Sequence, residues 1–272
     1  MLAHPRPKYI INYLTDFSRG TNYIMKIAVI SDIHGNMQAL NAVLDNIKAE
    51  KCDKIFCLGD LAMAGPEPSK TIEKIQQLLE SRDFTCIQGN TDEMIANCDN
   101  QMIHLLKENN PIMANALEND VTVISEEQKD FLRKLPAQKE IEIEGIKILL
   151  VHGSPRKNNE NIFNDLKIEE VEEIIKGVDA NVIFCGHTHV PCGYQTNTKQ
   201  TVVNVGSVGR PFSEKPKSCY AILEVKNNEF SIKHNLVDYD VKTASSILQE
   251  RGFDGADKLA AMLISATSRY PQ

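Results

Sequence analysis

Tryptophan is missing from the 272 residues of this chain, and aromatic residues together make up only 6% of it. A surplus of positive charge is missing too, because 37 acidic residues outnumber 30 basic ones and leave a formal net charge of -7. Nucleic-acid backbones and anionic membranes are bound by grouped Lys and Arg, and single strands usually need aromatic stacking platforms. These shortages argue against an extended nucleic-acid groove and against a membrane-surface protein.

Paired cysteines and long apolar runs are also absent. The seven cysteines include no CxxC pair and lie mostly in apolar runs such as "KIFCLG" and "VIFCGH". This pattern favours buried thiols in a reducing cytosol over disulfides or a zinc knuckle. No apolar run approaches ~18 residues, so a spanning helix is not expected. We therefore predict a cytoplasmic protein.

The N-terminal segment lacks the apolar stretch of a signal peptide. We expect residues 1–24 to be an extension from an upstream start codon, with a poorly ordered native arm as the alternative. Met25 begins "MKIAVISD", which is a natural first strand of an α/β domain. With 42% hydrophobic residues, the chain can bury a substantial core.

Short β-branched runs alternate with helical patterns in the N-terminal half. The runs "KIAVIS" (26–31) and "KIFCL" (54–58) precede helical patterns over 36–50 and 69–80, and "FTCIQ" (84–88) precedes "DEMIANC". Such alternation is typical of parallel strand pairing in a sheet covered on both faces. The predicted fold class is therefore α/β.

The central and C-terminal parts predict further elements. Ser125 and Gln128 have capping-box spacing within a helical segment, which we expect to form a cap over about 93–135 in a domain spanning 25–240. Residues 241–272 are predicted as a C-terminal helical segment. Strands are predicted in "EIEIEGIKILLVHG", "NVIFCG", "TVVNVGS", "CYAILEV" and "EFSIKHNL".

Five of the predicted strands end in side chains that can bind a metal. A single Asp or His at such a place is usually a turn or cap residue. Here, however, four of the seven histidines, two Asp and one Asn share the position, and strand ends in an open α/β sheet converge at one edge. The set comprises Asp32 and His34 in "VISDIHGN", Asp60 in "FCLGD", Asn90 in "CIQGN", His152 in "LLVHG", and His187 and His189 in "IFCGHTH".

Seven donors are too many for one tetrahedral zinc and suit two divalent ions that share a carboxylate. The mixture of carboxylate, imidazole and amide favours Mn, Fe, Zn, Co or Ni over Mg or Ca. DxH and HxH pairs in extended backbone would direct both side chains to the same side. Two such ions can clamp a phosphoryl group.

The motif order DxH, GD, GNxD, H, GHxH resembles the calcineurin-like metallophosphoesterases from about Met25 to Val225. The stretches "SDIHGN", "LLVHGSP", "GHTHVP" and "NVGSVGRP" are most similar to the small bacterial and archaeal phosphodiesterases and diadenosine-tetraphosphatase-like proteins. This resemblance implies a four-layer αββα sandwich with a helical cap insertion and a dimetal centre at the strand ends.

The resemblance also implies a ligand set and a reaction. It places Asp32, His34 and His189 on one ion, Asn90, His152 and His187 on the other, and Asp60 on both. A metal-bridging hydroxide would attack a small phosphodiester, nucleotide or phosphomonoester.

Further site residues are predicted around these ligands. Asp60, Asn90 and Asp92 are the predicted catalytic residues. Asn36 and Arg210 are plausible hydrogen-bond donors to the substrate phosphate. The alternative roles are a helix N-cap for Asn36 and a surface charge for Arg210.

The stretch "CIQGNTDEM" departs from the family pattern. Gly89 and Asn90 are typical of a turn, since both tolerate left-handed backbone. Many family members continue GNHD or GNHE, where the His protonates the leaving oxygen, but Thr91 stands there in this chain. General acid help is worth roughly 10² to 10⁴-fold, and alkoxide leaving groups need it most. His104, in the helical segment, is an alternative proton donor or a plain helix-surface residue.

Two other functions fit the same fold. A noncatalytic protein-binding scaffold would have no reason to keep seven donors, so the complete set favours an enzyme. A protein serine/threonine phosphatase uses the same metals and is not excluded by any motif. The C-terminal helices could cover the pocket or form a dimer interface, which leaves a homo-oligomer open.

Overall fold

A computed structural model describes residues 24–213 and 215–267. The predicted extension at 1–24 therefore lies outside the described residues except for its last position. The described part contains two five-stranded sheets. The first sheet has the order β10-β9-β1-β2-β3, with β1 at Met25–Ile30, β2 at Lys54–Cys57, β3 at Phe84–Cys86, β9 at Ser218–Lys226 and β10 at Glu229–Val237. The second has the order β4-β5-β6-β8-β7, with β4 at Gln138–Ile143, β5 at Ile146–Val151, β6 at Val182–Cys185, β7 at Cys192–Gln195 and β8 at Thr201–Asn204.

Nine helices connect and cover these strands within the described ranges. They are α1 Met37–Ala49, α2 Pro68–Leu78, α3 Asn90–Ala96, α4 Asn100–Asn109, α5 Pro111–Val123, α6 Glu126–Lys134, α7 Ile168–Ile174, α8 Val241–Glu250 and α9 Ala256–Ser265. The predicted capping box is confirmed at α6, where the Ser125 hydroxyl accepts from the Gln128 N–H and the Gln128 side chain accepts from the Ser125 N–H. The predicted cap and domain boundaries stay predictions.

Apolar side chains alternate between the two faces of each sheet and so form three buried layers. Val29 and Leu58 of the first sheet meet Leu150 and Phe184 of the second in the layer between the sheets. Helices α1, α2, α8 and α9 cover the outer face of the first sheet, and α7 covers the outer face of the second. The predicted four-layer αββα sandwich is confirmed.

The strand pairing is mixed. Strands β1, β2 and β3 run parallel, as do β5, β6 and β8. Strand β9 pairs with β1 in the antiparallel direction, and the edge strands β10, β4 and β7 are antiparallel to their neighbours. The antiparallel edges arise from short hairpins, such as Asn227-Asn228 between β9 and β10, where both residues are left-handed with φ of 52° and 62°. The parallel pairing predicted from the alternating pattern is confirmed for β1, β2 and β3, whose carboxyl ends carry several of the predicted ligands.

None of the described helices is long and apolar enough to cross a membrane. All seven cysteines are free thiols, and five of them are buried.

Candidate metal centre

The loops after β1, β2, β5 and β6 bring five buried acidic and imidazole side chains together. In two groups of three the candidate ligand atoms all lie within 4.8 Å of one another, one group formed by Asp32, His34 and His189 and the other by Asp32, Asp60 and His152. Asp32 Oδ1 lies 3.2 Å from His189 Nε2, and Asp60 Oδ2 lies 3.4 Å from His152 Nε2 and 3.6 Å from His34 Nε2. The predicted convergence of strand ends is present in the structure.

The remaining two predicted ligands lie beside the second group. Asn90 is the first residue of α3, and its Oδ1 is 3.0 Å from His152 Nε2. The ring of His187 lies edge-on to the ring of His152 with centroids 5.3 Å apart, and the His187 N–H donates to Asp32 Oδ2 at 3.0 Å. The assignment of individual side chains to one ion or the other stays a prediction.

Three of the imidazoles are held by backbone carbonyls. Nδ1 of His34, His152 and His189 lies 2.8 Å from the carbonyl oxygens of Met63, Leu58 and Arg210, respectively. A carbonyl oxygen only accepts, so each Nδ1 carries a proton and each Nε2 faces the centre, where it offers a lone pair when the ring is neutral. This is the arrangement of metal-binding histidines, in which a second contact fixes the tautomer and the ring orientation.

The facing atoms in the centre fit a cation. Nε2 of His34 and Nε2 of His189 are 3.1 Å apart. Because both rings donate through Nδ1, two lone pairs face each other there, and they repel unless a cation lies between them or one ring is protonated. Asp32 Oδ1 is fully buried without a hydrogen-bond partner, which is costly for a carboxylate oxygen. The residues present therefore fit divalent metal.

Backbone conformation corrects one part of the sequence interpretation. The DxH and HxH pairs do not lie in extended backbone, because Asp32, His34, His187 and His189 have φ of 56°, 46°, 68° and 61°. Asp60 shares this left-handed conformation with a φ of 56°. Residues with a Cβ rarely adopt it, and such strain is concentrated at functional sites. The pairs thus reach the centre through tight left-handed turns rather than through the two-residue alternation of a strand.

The role predicted for Gly89 is also corrected. Its backbone is extended, with φ of -88° and ψ of 170°, so a left-handed turn is not the reason for glycine. A Cβ at Gly89 would lie 2.1 Å from Asp60 Oδ1 and 2.2 Å from Asp60 N. The glycine is required because the loops after β2 and β3 touch there.

Asp92 joins those two loops. One of its oxygens accepts from the N–H groups of Asp60 and Gly89 at 2.8 and 2.9 Å, and the other accepts from Leu61 N–H at 2.8 Å. The side chain is fully buried. A direct catalytic role for Asp92 stays a prediction, and its observed contacts hold the shape of the Asp60 loop.

Thr91 and His104 occupy different environments. Thr91 is 8% exposed, its N–H donates to Asp60 Oδ1 at 2.8 Å, and its hydroxyl is buried without a partner. The His104 side chain is 74% exposed on α4 and lies 3.5 Å from the carboxylate of Glu108 one turn later. The structure thus places His104 on the exposed surface of α4, which is the environment expected for a plain helix-surface residue.

Asn36 and Arg210 lie next to the ligand loops. Asn36 is fully buried, its Oδ1 accepts from Ala39 N–H at 3.0 Å as the N-cap of α1, and its Nδ2 donates to Gly209 O at 2.8 Å. Both polar atoms of the amide therefore have protein partners. A direct contact of Asn36 with substrate stays a prediction.

The Arg210 side chain extends to helices α5 and α9. Its guanidinium lies 3.7 Å from the Met113 sulfur and 4.0 Å from the Met262 sulfur. Phe212, whose centroid is 6.0 Å from that guanidinium, stacks on the ring of His189 at 4.6 Å. Arg210 thus borders the centre, and its contact with a phosphate stays a prediction.

Burial and facing charges set the protonation of the centre. Burial opposes charge on Asp60 and His152, but their mutual attraction together with other neighbours, His34 at Asp60 and Asp32 at His152, outweighs it, so the pKa of the Asp60 carboxyl is lowered and the pKa of His152 is raised to about 10. Burial and the neighbouring His189 lower the pKa of His34 to about 4. Burial and the nearby Asp60 raise the pKa of Asp92 to about 7. His34 is therefore neutral at pH 7, and His152 must lose a proton before it can bind a metal.

Sequence reasoning missed the residues that support the ligands. The carbonyl groups of Leu58, Met63 and Arg210 leave no sequence signal, because every residue has one. Asp120 does leave a signal, since it lies one helical turn after the buried Leu117 and is itself fully buried on α5. An acidic residue on the apolar face of a helix indicates a buried partner.

Comparison with known proteins agrees with this geometry. A family model described as the calcineurin-like phosphoesterase superfamily domain matches residues 25–228. An uncharacterized protein of Methanocaldococcus jannaschii is 34% identical over 234 residues, which are 80% of this chain and 89% of that protein.

Two solved structures share the fold. A hypothetical protein from Pyrococcus horikoshii superposes with a TM-score of 0.81 at 24% identity, covering 90% of this chain and 100% of that one. A metallophosphoesterase from Sphaerobacter thermophilus superposes with a TM-score of 0.71 at 26% identity, covering 89% of this chain and 99% of that one. The chain belongs to the calcineurin-like phosphoesterase superfamily.

Proposed function

We propose that this protein is a phosphoesterase that uses two divalent ions to hydrolyse a small phosphodiester, nucleotide or phosphomonoester. The observation that supports it most is the inward-facing donor set. Three imidazoles have their Nδ1 atoms fixed on carbonyl oxygens, and their Nε2 atoms face the buried carboxylates of Asp32 and Asp60. A noncatalytic scaffold has no need of so many buried groups that repel or stay unpaired without a cation.

The ligand assignment is part of this proposal. Asp32, His34 and His189 would hold one ion, Asn90, His152 and His187 the other, and Asp60 would contact both. Two divalent ions in such a site polarise the phosphoryl group and supply a nucleophile at neutral pH. The donor chemistry favours Mn, Fe, Zn, Co or Ni, and an assay with each metal decides among them.

The chain's own residues position the reacting groups. The carbonyl contacts keep a proton on each Nδ1 and fix the ring orientation, so that Nε2 is the nitrogen available to a metal, and Asp92 holds the Asp60 loop through three backbone bonds. Thr91 offers a hydroxyl with a pKa too high to protonate a leaving group. Substrates with good leaving groups, such as aryl or nucleotide-type esters, should therefore react faster than alkyl esters.

The test is a substrate panel on protein stripped of metal and reloaded separately with Mn, Ni, Co, Zn and Mg. The panel contains an aryl monoester, an aryl diester, diadenosine tetraphosphate and a phosphoserine peptide. We expect hydrolysis of at least one small ester, and no hydrolysis by Asp32→Asn. Asp83→Asn is the matched control, because this aspartate is exposed and pairs only with Lys54 at the surface.

Two results would change the proposal. A protein that binds two ions and hydrolyses no member of the panel would favour the scaffold. Selective hydrolysis of the phosphopeptide would favour a protein serine/threonine phosphatase.

A further inference from the structure

The loop that follows Asp60 carries the carbonyl that orients His34. This loop, residues 61–65, is called here the Met63 loop. The Met63 carbonyl oxygen lies 2.8 Å from His34 Nδ1. The position of that oxygen therefore sets which nitrogen of His34 is protonated and where the other nitrogen points.

The conformation of the Met63 loop is one that the chain does not favour alone. Ala64 directly follows Met63 and has a left-handed φ of 62°, which is unfavourable for a residue with a Cβ. Gly65 packs so closely on the preceding ligand loop that a Cβ there would lie 1.5 Å from the His34 carbonyl oxygen. Contacts from elsewhere must hold this shape.

Two buried side chains supply those contacts. Asp120 of α5 accepts from Ala64 N–H through Oδ2 at 2.8 Å. Arg251, the C-cap of α8, donates from Nη1 to the Gly65 carbonyl oxygen at 2.6 Å. Asp120 Oδ1 and Arg251 Nη2 form an ion pair at 2.7 Å, and the side chains are 0% and 10% exposed. Asp120 thus holds the peptide unit that contains the Met63 carbonyl, through the Ala64 N–H, and Arg251 holds the carbonyl of Gly65 two residues later.

Stability alone does not explain a pair in this place. Burying two charges costs about as much free energy as their attraction returns, so a buried ion pair is weak evidence for stabilisation. Burial raises the pKa of Asp120 to about 6 even with Arg251 beside it, which shows the cost of keeping this carboxylate charged. A role in fixing the geometry of the adjacent loop accounts for a buried pair at this position.

We propose that Asp120 and Arg251 are positioning residues that hold the Met63 loop and thereby fix the tautomer and orientation of His34. The importance of this role for catalysis rests on the proposed function of His34 as a metal ligand. Through it, α5 and α8, which lie outside the two sheets, control one imidazole of the centre.

The test reads the His34 nitrogens directly. Full-length protein is labelled with ¹⁵N-histidine, stripped of metal, and examined by NMR at neutral pH, with His34→Gln used to assign the signals. The wild type should show His34 with Nδ1 protonated and Nε2 unprotonated. In Arg251→Met we expect His34 to lose this single-tautomer signature, while the signals of His234, whose Nε2 contacts the Asn204 carbonyl, stay unchanged.

Graded and matched variants complete the test. Arg251→Lys keeps a charge beside Asp120 but loses the fixed fork of donors, so it should perturb His34 less than Arg251→Met. Glu118 lies on the same helix as Asp120 and forms a partly exposed ion pair with Lys107. Its replacement, Glu118→Gln, should leave the His34 signals unchanged. Calorimetric Mn titration should show one binding step weakened by about 10-fold or more in Arg251→Met.

Each outcome of these experiments either supports or overturns the positioning role of Asp120 and Arg251. If Arg251→Met does not fold, Arg251→Lys decides alone. Wild-type His34 signals in a folded Arg251 variant would overturn the proposal, as would equal changes at His34 and His234. Because the NMR signals are recorded without metal or substrate, failure of the proposed enzymatic function would leave this result readable.

Discussion

The two sheets contribute different chemistry to the centre. The loops of the first sheet supply every oxygen donor, from Asp32, Asp60 and Asn90, together with one imidazole. The loops of the second sheet supply imidazoles only, from His152, His187 and His189. Neither sheet edge carries a complete set, so the candidate site exists only where the sheets are stacked.

Contacts between the two sets show how the stacking is held. His152 of the second sheet donates from Nδ1 to the Leu58 carbonyl of the first at 2.8 Å. Asp32 of the first sheet accepts from the His187 N–H at 3.0 Å, and its carbonyl accepts from the Ser207 hydroxyl at 2.8 Å. The same residues that would bind metal therefore also join the sheets. Removing an oxygen donor of the first sheet should therefore reduce activity more than removing an imidazole of the second.

The largest effect is expected from Asp60→Asn. Asp60 faces imidazoles from both sheets, at 3.4 Å from His152 and 3.6 Å from His34, and is the proposed shared ligand. Its loss should reduce kcat with the best metal and substrate by about 10² to 10³-fold, as for other groups that stabilise developing charge. Metal content by mass spectrometry and steady-state kinetics measure this. A variant that keeps two ions and the wild-type rate would contradict the role of Asp60.

A smaller effect is expected from His189→Gln, which removes one imidazole of the second sheet. Its metal affinity should fall by about 10 to 100-fold, and excess metal should restore part of the rate. His104→Gln is the matched control, because that imidazole is 74% exposed. If the control also loses rate or changes its pH profile, His104 becomes a candidate proton donor again.

A selective gain is expected from Thr91→His. Thr91 lies on the first-sheet side next to Asp60, at the position where the family often has a proton donor. An imidazole there should raise the hydrolysis of alkyl esters relative to aryl esters by up to about 10²-fold. Rates for matched alkyl and aryl phosphates test this. Equal changes for both ester types would count against a missing general acid in the wild type.

The smallest effect is expected at the buried His234, which links the two sheets and is not one of the predicted ligands. This β10 residue donates from Nε2 to the Asn204 carbonyl of the second sheet at 2.8 Å, and its Nδ1 is buried without a partner. Burial lowers the pKa of His234. The unfolded chain therefore takes up a proton first as the pH falls below about 6.5, so the free energy of unfolding decreases there, by at most about 1.4 kcal/mol per pH unit.

Urea unfolding of metal-free protein across this pH range tests the His234 contribution. His234→Gln removes the titrating group, so the stability difference between wild type and variant should shrink as the pH falls. His104→Gln should leave the wild-type slope unchanged, because that side chain is exposed. A constant difference between wild type and His234→Gln at all pH values would refute the buried neutral state.

The sequence predicts the ligand types better than it predicts how they are held. The apolar run before Asp60 in "FCLGD" can be recognised from neighbouring residues alone. Because the carboxyl ends of parallel strands meet at one edge of a sheet, such runs predict that Asp60 and the other ligands lie close together. The left-handed backbone at His34 and the contact that excludes a Cβ at Gly89 depend on loops from different strands. The bonds of Asp120 to the Met63 loop join segments 56 residues apart along the chain. Such contacts follow from packing and have no local pattern.

Anomalous X-ray diffraction from crystals of the metal-loaded protein tests the central claim most directly. We expect two peaks between the sheets, roughly 3.5–4 Å apart, with Asp60 next to both. One peak should lie near Asp32, His34 and His189, and the other near Asn90, His152 and His187. A single peak, or peaks away from the junction of the sheets, would contradict the claim that the two sheets jointly hold two ions.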